Sequence, residues 1–168
     1  MAGKDLFTDE EWASIAPIPG LVVMAASMAD GKMMPSVREI TAGGEVLVEA
    51  AKAHPENTLI GELVAGMKDE KPDLGEAKPS SSEAVVDLLV AQVAAGWTTF
   101  TSKAPSDDVA ALRDLLTAAA TAVVERLGSG FMGSGDQKVS PGEQAFLDRL
   151  AGVLAAYLAS RSERPSSP

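Results

Sequence analysis

The stretch LVVMAASMA, residues 21–29, decides the fold class of this chain. It is apolar all round at helical spacing, which is typical of a central helix buried on every side. The sequence before it, Ala16-Pro17-Ile18-Pro19, breaks any helix arriving from the N-terminus, because proline lacks an amide donor and its ring crowds the preceding turn. We therefore predict a buried helix over about residues 20–29, with other helices packed around it.

Helix-start signals and apolar stripes on both sides of this segment predict those other helices. Three segments open with a capping box, in which Ser or Thr is followed three residues later by Glu: Thr8 with Glu11, Ser36 with Glu39, and Ser140 with Glu143. Apolar stripes at helical spacing predict helices over about residues 57–67 and 82–96, a long helix capped by Ser106, and a final helix over about residues 141–160.

Two segments are predicted to be connections. Trp97-Thr98-Thr99-Phe100 follows Gly96, a residue that often closes a helix, and has no strand to pair with, so we predict a connection with Trp97 and Phe100 packed inward. Residues 68–81 are rich in Lys, Glu, Asp, Pro and Ser and predict a solvated connector. The predicted fold is all-α, with about seven helices in two pseudo-repeated halves, residues 1–160 forming one compact domain and residues 161–168 a disordered tail.

Composition and charge exclude several function classes. Of the 168 residues, 46% are hydrophobic but only 4% are aromatic, which favours helix packing over strands. The formal net charge of -10 has the wrong sign for neutralising phosphates, so nucleic acid and anionic membrane surfaces are not expected partners. The prolines interrupt the longest apolar stretch and acidic residues precede it, so we expect a cytoplasmic protein with no direct membrane span.

Catalytic residues are scarce. The chain has no cysteine, which excludes thiolate catalysis, disulfides and iron-sulfur clusters. Its only histidine is His54, so a di-iron carboxylate bundle, which needs a histidine on each of two helices, is not supported. A Ser-His-Asp site is not supported either, because no serine lies in a nucleophile-elbow context. We predict that the protein is not an enzyme and that it acts through protein partners. The small residues Ala25, Ala26 and Ala29 would permit close helix contact, either within the fold or in a homodimer.

Two related loops carry the main functional signal. DGKMMP at residues 30–35 and DQKVSP at residues 136–141 agree in Asp, Lys, an apolar fourth residue and Pro, and each leads into a helix that carries Glu. If the two halves bring these loops together, their carboxylates would supply the oxygen ligands that a hard divalent cation such as calcium needs. The predicted metal ligands are Asp30, Glu39, Asp136 and Glu143.

The same residues have a simpler interpretation as turns and helix caps. Asp and Gly are common in turns, Pro is favoured at the first helical position, and capping alone accounts for Ser-x-x-Glu. An EF-hand is excluded, because aligning Glu143 with its last ligand places Met132 first and Gln137 where glycine is required. The alternative is therefore a metal-free helical interaction or structural domain.

Four segments of the chain resemble the TerB-like family, named from bacterial tellurite-resistance proteins. They are FTDEEW, AASMADGK, SVREI and GDQKVSPGEQAFLDRL, and the resemblance in architecture spans about residues 7 to 158. The resemblance implies an all-helical domain of about seven helices, acidic clusters that bind a divalent metal such as calcium, and a role in stress response or membrane-associated defence. On this basis we expect a scaffolding or sensing role in stress response. Carried over residue by residue, the implied ligands are again Asp30, Glu39, Asp136 and Glu143.

Overall fold

The computed structural model describes residues 3–31, 37–53, 57–66, 79–128 and 139–162. Within these ranges the chain is helical and contains no strand, which confirms the all-α prediction. A 3-10 turn at Lys4–Leu6 precedes the α-helices, whose bounds are α1 Asp9–Ile15, α2 Ile18–Met28, α3 Val37–Ala53, α4 Thr58–Gly66, α5 Ser82–Lys103, α6 Ser106–Gly128 and α7 Pro141–Ser162. Only Ala16 and Pro17 separate α1 from α2, so the described residues hold seven helices, or six if Asp9–Met28 is counted as one.

The central position predicted for the second helix is confirmed. Nine of the eleven residues of α2 are buried, and the helix packs against α3, α5, α6 and α7. The predicted break is also found, because α1 ends at Ile15 and α2 begins at Ile18. The helix starts slightly earlier than predicted, since proline is tolerated in the first turn, where an amide has no intrahelical partner.

The predicted connection at residues 97–100 is wrong. Helix α5 continues through Gly96 to Lys103, and the Thr98 hydroxyl donates to the Ala94 carbonyl at 2.9 Å within the helix. Gly96 is in mid-helix because α1 crosses there: a Cβ at this position would lie 2.2 Å from the Ser14 carbonyl oxygen. Glycine is therefore required here because two helices cross closely, and it does not mark the end of a helix.

The inward packing predicted for Trp97 and Phe100 is confirmed. Phe100 is fully buried and stacks on Trp97 at a centroid distance of 5.8 Å and on Phe7 at 6.0 Å. Phe7 also contacts Trp12 at 6.1 Å in a tilted arrangement. Such ring pairs add stabilisation to the area they bury. This aromatic cluster joins the N-terminal segment to the second half of α5.

Capping at the start of α1 is also confirmed. Glu11 N donates to Thr8 Oγ1 at 3.2 Å, and Thr8 N donates to Glu11 Oε2 at 2.8 Å. Lys103 Nζ, at the end of α5, donates to the same carboxylate at 2.6 Å. The bond from Lys103, and to a smaller extent that from Thr8, holds the pKa of Glu11 below its usual value.

The predicted cap at Ser106 is wrong, because Ser106 is itself the first residue of α6. Its predecessor Pro105 occupies the capping position, where its carbonyl accepts from Val109 N at 3.0 Å.

Two helices reach the length and apolar composition of a membrane span, Asp9–Met28 and Ser82–Lys103, each with a mean hydropathy of 1.3. Buried core helices of helical bundles meet the same criterion, and 61% and 44% of the respective 18-residue apolar windows are buried within this fold. Several predictions lie outside the described residues: the connector up to residue 78, the Ser36 cap, and the tail from residue 163.

Candidate functional site

The first predicted ligand, Asp30, lies two residues after the last residue of α2. Gly31 comes next, with a φ of 91°, and its amide donates to the Met28 carbonyl at 3.1 Å. Glycine at this left-handed position is a common way to end a helix, because other residues are strained there. The turn places Asp30 half-buried at the C-terminal end of the central helix.

The last predicted ligand, Glu143, lies in the first turn of α7. Its Oε2 accepts from Ser140 N at 2.6 Å, and Glu143 N donates to Ser140 Oγ at 3.2 Å. The predicted capping box is therefore formed. Glu143 is only 3% exposed, so the capping bond also compensates part of the cost of burying its carboxylate.

The end of α2 and the start of α7 are in direct backbone contact. A Cβ built at Gly142 would lie 2.3 Å from the carbonyl oxygen of Ala29. The C-terminal end of one helix thus lies against the N-terminal end of another, where their partial charges attract. This contact joins the loop that begins at Asp30 to the helix that follows the loop of Asp136.

We expect Gly142→Ala to lower the free energy of unfolding by about 2 kcal/mol, since the methyl group would overlap a backbone atom that has no rotamer to change. Gly152→Ala is the matched control in the same helix: a Cβ there meets nothing within 4 Å, so it should stabilise α7 by up to about 1 kcal/mol. Urea unfolding of both variants measures the difference. Equal changes in the free energy of unfolding of the two variants would show that Gly142 does not lie as close to the Ala29 carbonyl oxygen as the structure places it.

A half-open cleft of about 510 Å³ lies beside this contact. Three helix ends form it: the C-terminal end of α2 and the N-terminal ends of α5 and α7. The lining residues are Met28, Ala29, Asp30, Gly31, Ser82, Glu83, Val86, Ser140, Pro141, Gly142, Ala145, Phe146 and Arg149. The lining mixes apolar side chains such as Val86 and Phe146 with polar groups, most of them at the helix ends.

Charges of both signs line this cleft. Asp30 and Glu83 contribute carboxylates, and Arg149 contributes a guanidinium group. Arg149 Nη1 donates to Asp87 Oδ1 at 2.7 Å, which joins α7 to α5 next to the cleft. Neither Glu83 nor Arg149 was predicted as a site residue, because nothing in their local sequence shows that α5 and α7 meet here.

The structure describes only part of the predicted ligand set. Asp30 lines the cleft, whereas Glu143 is adjacent to it and directs its carboxylate into the cap. Glu39 lies in the first turn of α3 but its side chain is outside the described residues, as is the whole of Asp136. Among the described side chains, no group of three or more His, Cys, Asp or Glu residues is close enough to hold a metal ion.

The described donors, Asp30 and Glu143, therefore do not make a metal site by themselves. Calcium takes six to eight oxygen ligands, and one Glu143 oxygen already accepts the capping bond. Of the predicted ligands, the arrangement provides Asp30 in the cleft and Glu143 in the adjacent helix cap, and a backbone contact joins Ala29 to Gly142. No family model, curated protein or solved structure matches this chain, so the site is interpreted from its own geometry.

Proposed function

We propose that this chain is a cytoplasmic, non-catalytic TerB-like helical module that binds a divalent cation, calcium foremost, where its two acidic loops meet, and that it scaffolds or senses in a stress response. The observation that carries the proposal is the backbone contact between Ala29 and Gly142. These residues directly precede Asp30 and directly follow the Pro141 that ends the second loop. Two loops that are far apart in sequence are thus neighbours at their helix ends.

The proposal includes the pseudo-repeat of the two halves. Each half has an Asp-containing loop that leads into a long helix, α3 in the first half and α7 in the second. Cation binding between the loops would give this duplication a physical role, because each half alone supplies too few carboxylates for a calcium ion. The proposed ligands are Asp30, Glu39, Asp136 and Glu143.

The first test is thermal unfolding with calcium and with a chelator. We expect calcium to raise the melting midpoint of the natural chain, by the equivalent of about 2.7 kcal/mol at a hundredfold excess over Kd. Asp30→Asn and Asp136→Asn should each abolish the rise. Asp114→Asn is the control, because this exposed carboxylate on α6 pairs with its neighbour Arg113 and does not line the cleft. No rise at millimolar calcium would refute the proposal.

Glu143→Gln separates the two roles of this side chain. The glutamine carbonyl can accept the same bond from Ser140 N, because Glu and Gln both occur at this position of a capping box. If Glu143 also binds the cation, the variant should keep most of its stability in chelator and lose much of its response to calcium. An unchanged calcium response would restrict Glu143 to capping.

A second candidate is a metal-free helical interaction domain, in which the loops are only turns and caps. Two observations favour it: the Glu143 carboxylate is already engaged in the cap, and the Arg149 guanidinium lining the cleft would repel a cation. In that case calcium would not change the melting midpoint of the natural chain or of any variant above. The partners would then be proteins, including a second copy of the chain.

A further inference from the structure

A second concave surface lies between α3 and α4. This α3–α4 groove has a volume of about 830 Å³, within the range of natural binding clefts. Its lining residues are Thr41, Gly44, Glu45, Val48, Glu49 and Lys52 of α3 and Val64 of α4. Among the described residues, all of the lining except Val64 is thus one face of α3.

The two adjacent glycines of α3 show how differently its two faces are used. At Gly43 a Cβ would lie 2.7 Å from Val23 and 2.8 Å from Val123, so this face packs tightly on the core. At Gly44 a Cβ would meet no described atom within 4 Å. Glycine inside a helix lowers stability by about 1 kcal/mol relative to alanine. At Gly43 the close packing on the described core explains why glycine is needed, whereas no described contact explains it at Gly44.

An apolar stripe runs along the groove face of α3. Ile40, Gly44 and Val48 are spaced four residues apart and so share one side of the helix. Ile40 is 41% exposed, one of two large hydrophobic side chains that are exposed among the described residues. The stripe has a small residue at its centre, where another helix could approach the backbone closely.

The charges at the edge of this groove indicate what kind of helix fits. Glu45 and Glu49 follow one side of the stripe, and Lys52, the one basic residue among the described residues of the lining, donates to Glu49 at 2.9 Å. The chain as a whole carries a net charge of -10. A second copy would bring more negative charge to this edge, whereas a basic helix would be attracted to it.

We propose that the α3–α4 groove binds a basic amphipathic helix of a partner protein. An apolar side chain of that helix lies over Gly44 between Val48 and Val64, and its lysine or arginine side chains face Glu45 and Glu49. Helices bind such grooves through anchor residues spaced by three or four positions. The proposal does not depend on cation binding, and its test is made in the presence of chelator.

The test uses two labelled synthetic helical peptides. Both have leucine at every third or fourth position, with lysine elsewhere in one and glutamate elsewhere in the other. In fluorescence anisotropy we expect the lysine peptide to bind, more weakly as salt is raised, and the glutamate peptide not to bind. Gly44→Leu should fill the groove and raise Kd at least about tenfold.

Two further variants complete the test. Gly152→Leu is the control for Gly44→Leu, because it adds the same side chain to an open glycine on α7 and should leave Kd unchanged. Glu45→Gln changes only charge and should weaken binding of the lysine peptide with a shallower salt dependence. If circular dichroism shows that Gly44→Leu does not fold, the Kd of Glu45→Gln for the lysine peptide still tests the proposal.

Three results would overturn the proposal. They are failure of the lysine peptide to bind, equal binding to the natural chain and to both groove variants, and a dimer in sedimentation that Gly44→Leu converts to monomer. The last result would identify a second copy as the occupant of the groove.

Discussion

Replacing Gly96 with alanine is expected to lower the free energy of unfolding by about 3 kcal/mol. The new methyl group would lie 2.2 Å from the Ser14 carbonyl oxygen and 3.0 Å from Ile18 Cδ1. Neither the helix backbone of α1 nor that of α5 can move away without disturbing the aromatic cluster beside the crossing. Urea unfolding measures the loss.

Gly61→Ala is the control for this substitution. Gly61 is also inside a helix, α4, but a Cβ there meets nothing within 4 Å. Alanine should therefore stabilise the chain by up to about 1 kcal/mol. If Gly96→Ala were equally benign, α1 and α5 would not cross as closely as the structure has them.

Phe100→Ala is expected to cost about 4 kcal/mol, the largest effect of a single substitution proposed for this chain. Phe100 is fully buried and lies between Phe7 and Trp97, so its removal leaves a cavity and ends two ring contacts. Tryptophan fluorescence, from Trp97 and Trp12 together, follows the unfolding and should also show a changed environment in the folded variant.

Two further variants test the origin of that loss. Phe100→Leu should lower the free energy of unfolding by less than Phe100→Ala does, because leucine leaves a smaller cavity. Leu6→Ala, at a side chain that is 40% exposed, should change stability by no more than about 0.5 kcal/mol. A small loss in Phe100→Ala would mean that neighbouring side chains collapse into the space.

Local chemistry made much of the fold predictable from the sequence. Pro17 has no amide to continue α1, Thr8 and Ser140 cap helices through contacts three residues away, and LVVMAASMA has no polar face to expose. These features need no knowledge of tertiary structure. The course of α5 was not predictable in this way, because Gly96 looks like a helix end until Ser14 is known to lie against it.

Some features of the candidate site were likewise predictable from local sequence, and others depend on tertiary structure. The Ser140–Glu143 capping box follows from spacing alone, and Asp30 from its position at the end of an apolar run. That Ala29 contacts Gly142, and that Glu83 and Arg149 line the same cleft, depends on which helix ends meet. Periodicity predicts which face of a helix is buried but not which helix buries it.

The close packing of α2 against α5 has a consequence for the order in which the protein is made. Residues 29–81 are synthesised after α2 is complete and before α5 begins, so a ribosome releases the most apolar helix well ahead of its main neighbour. Until then the nascent chain exposes a surface that favours aggregation. We expect chains truncated before Ser82 to depend on chaperones that the full-length protein, once folded, no longer needs.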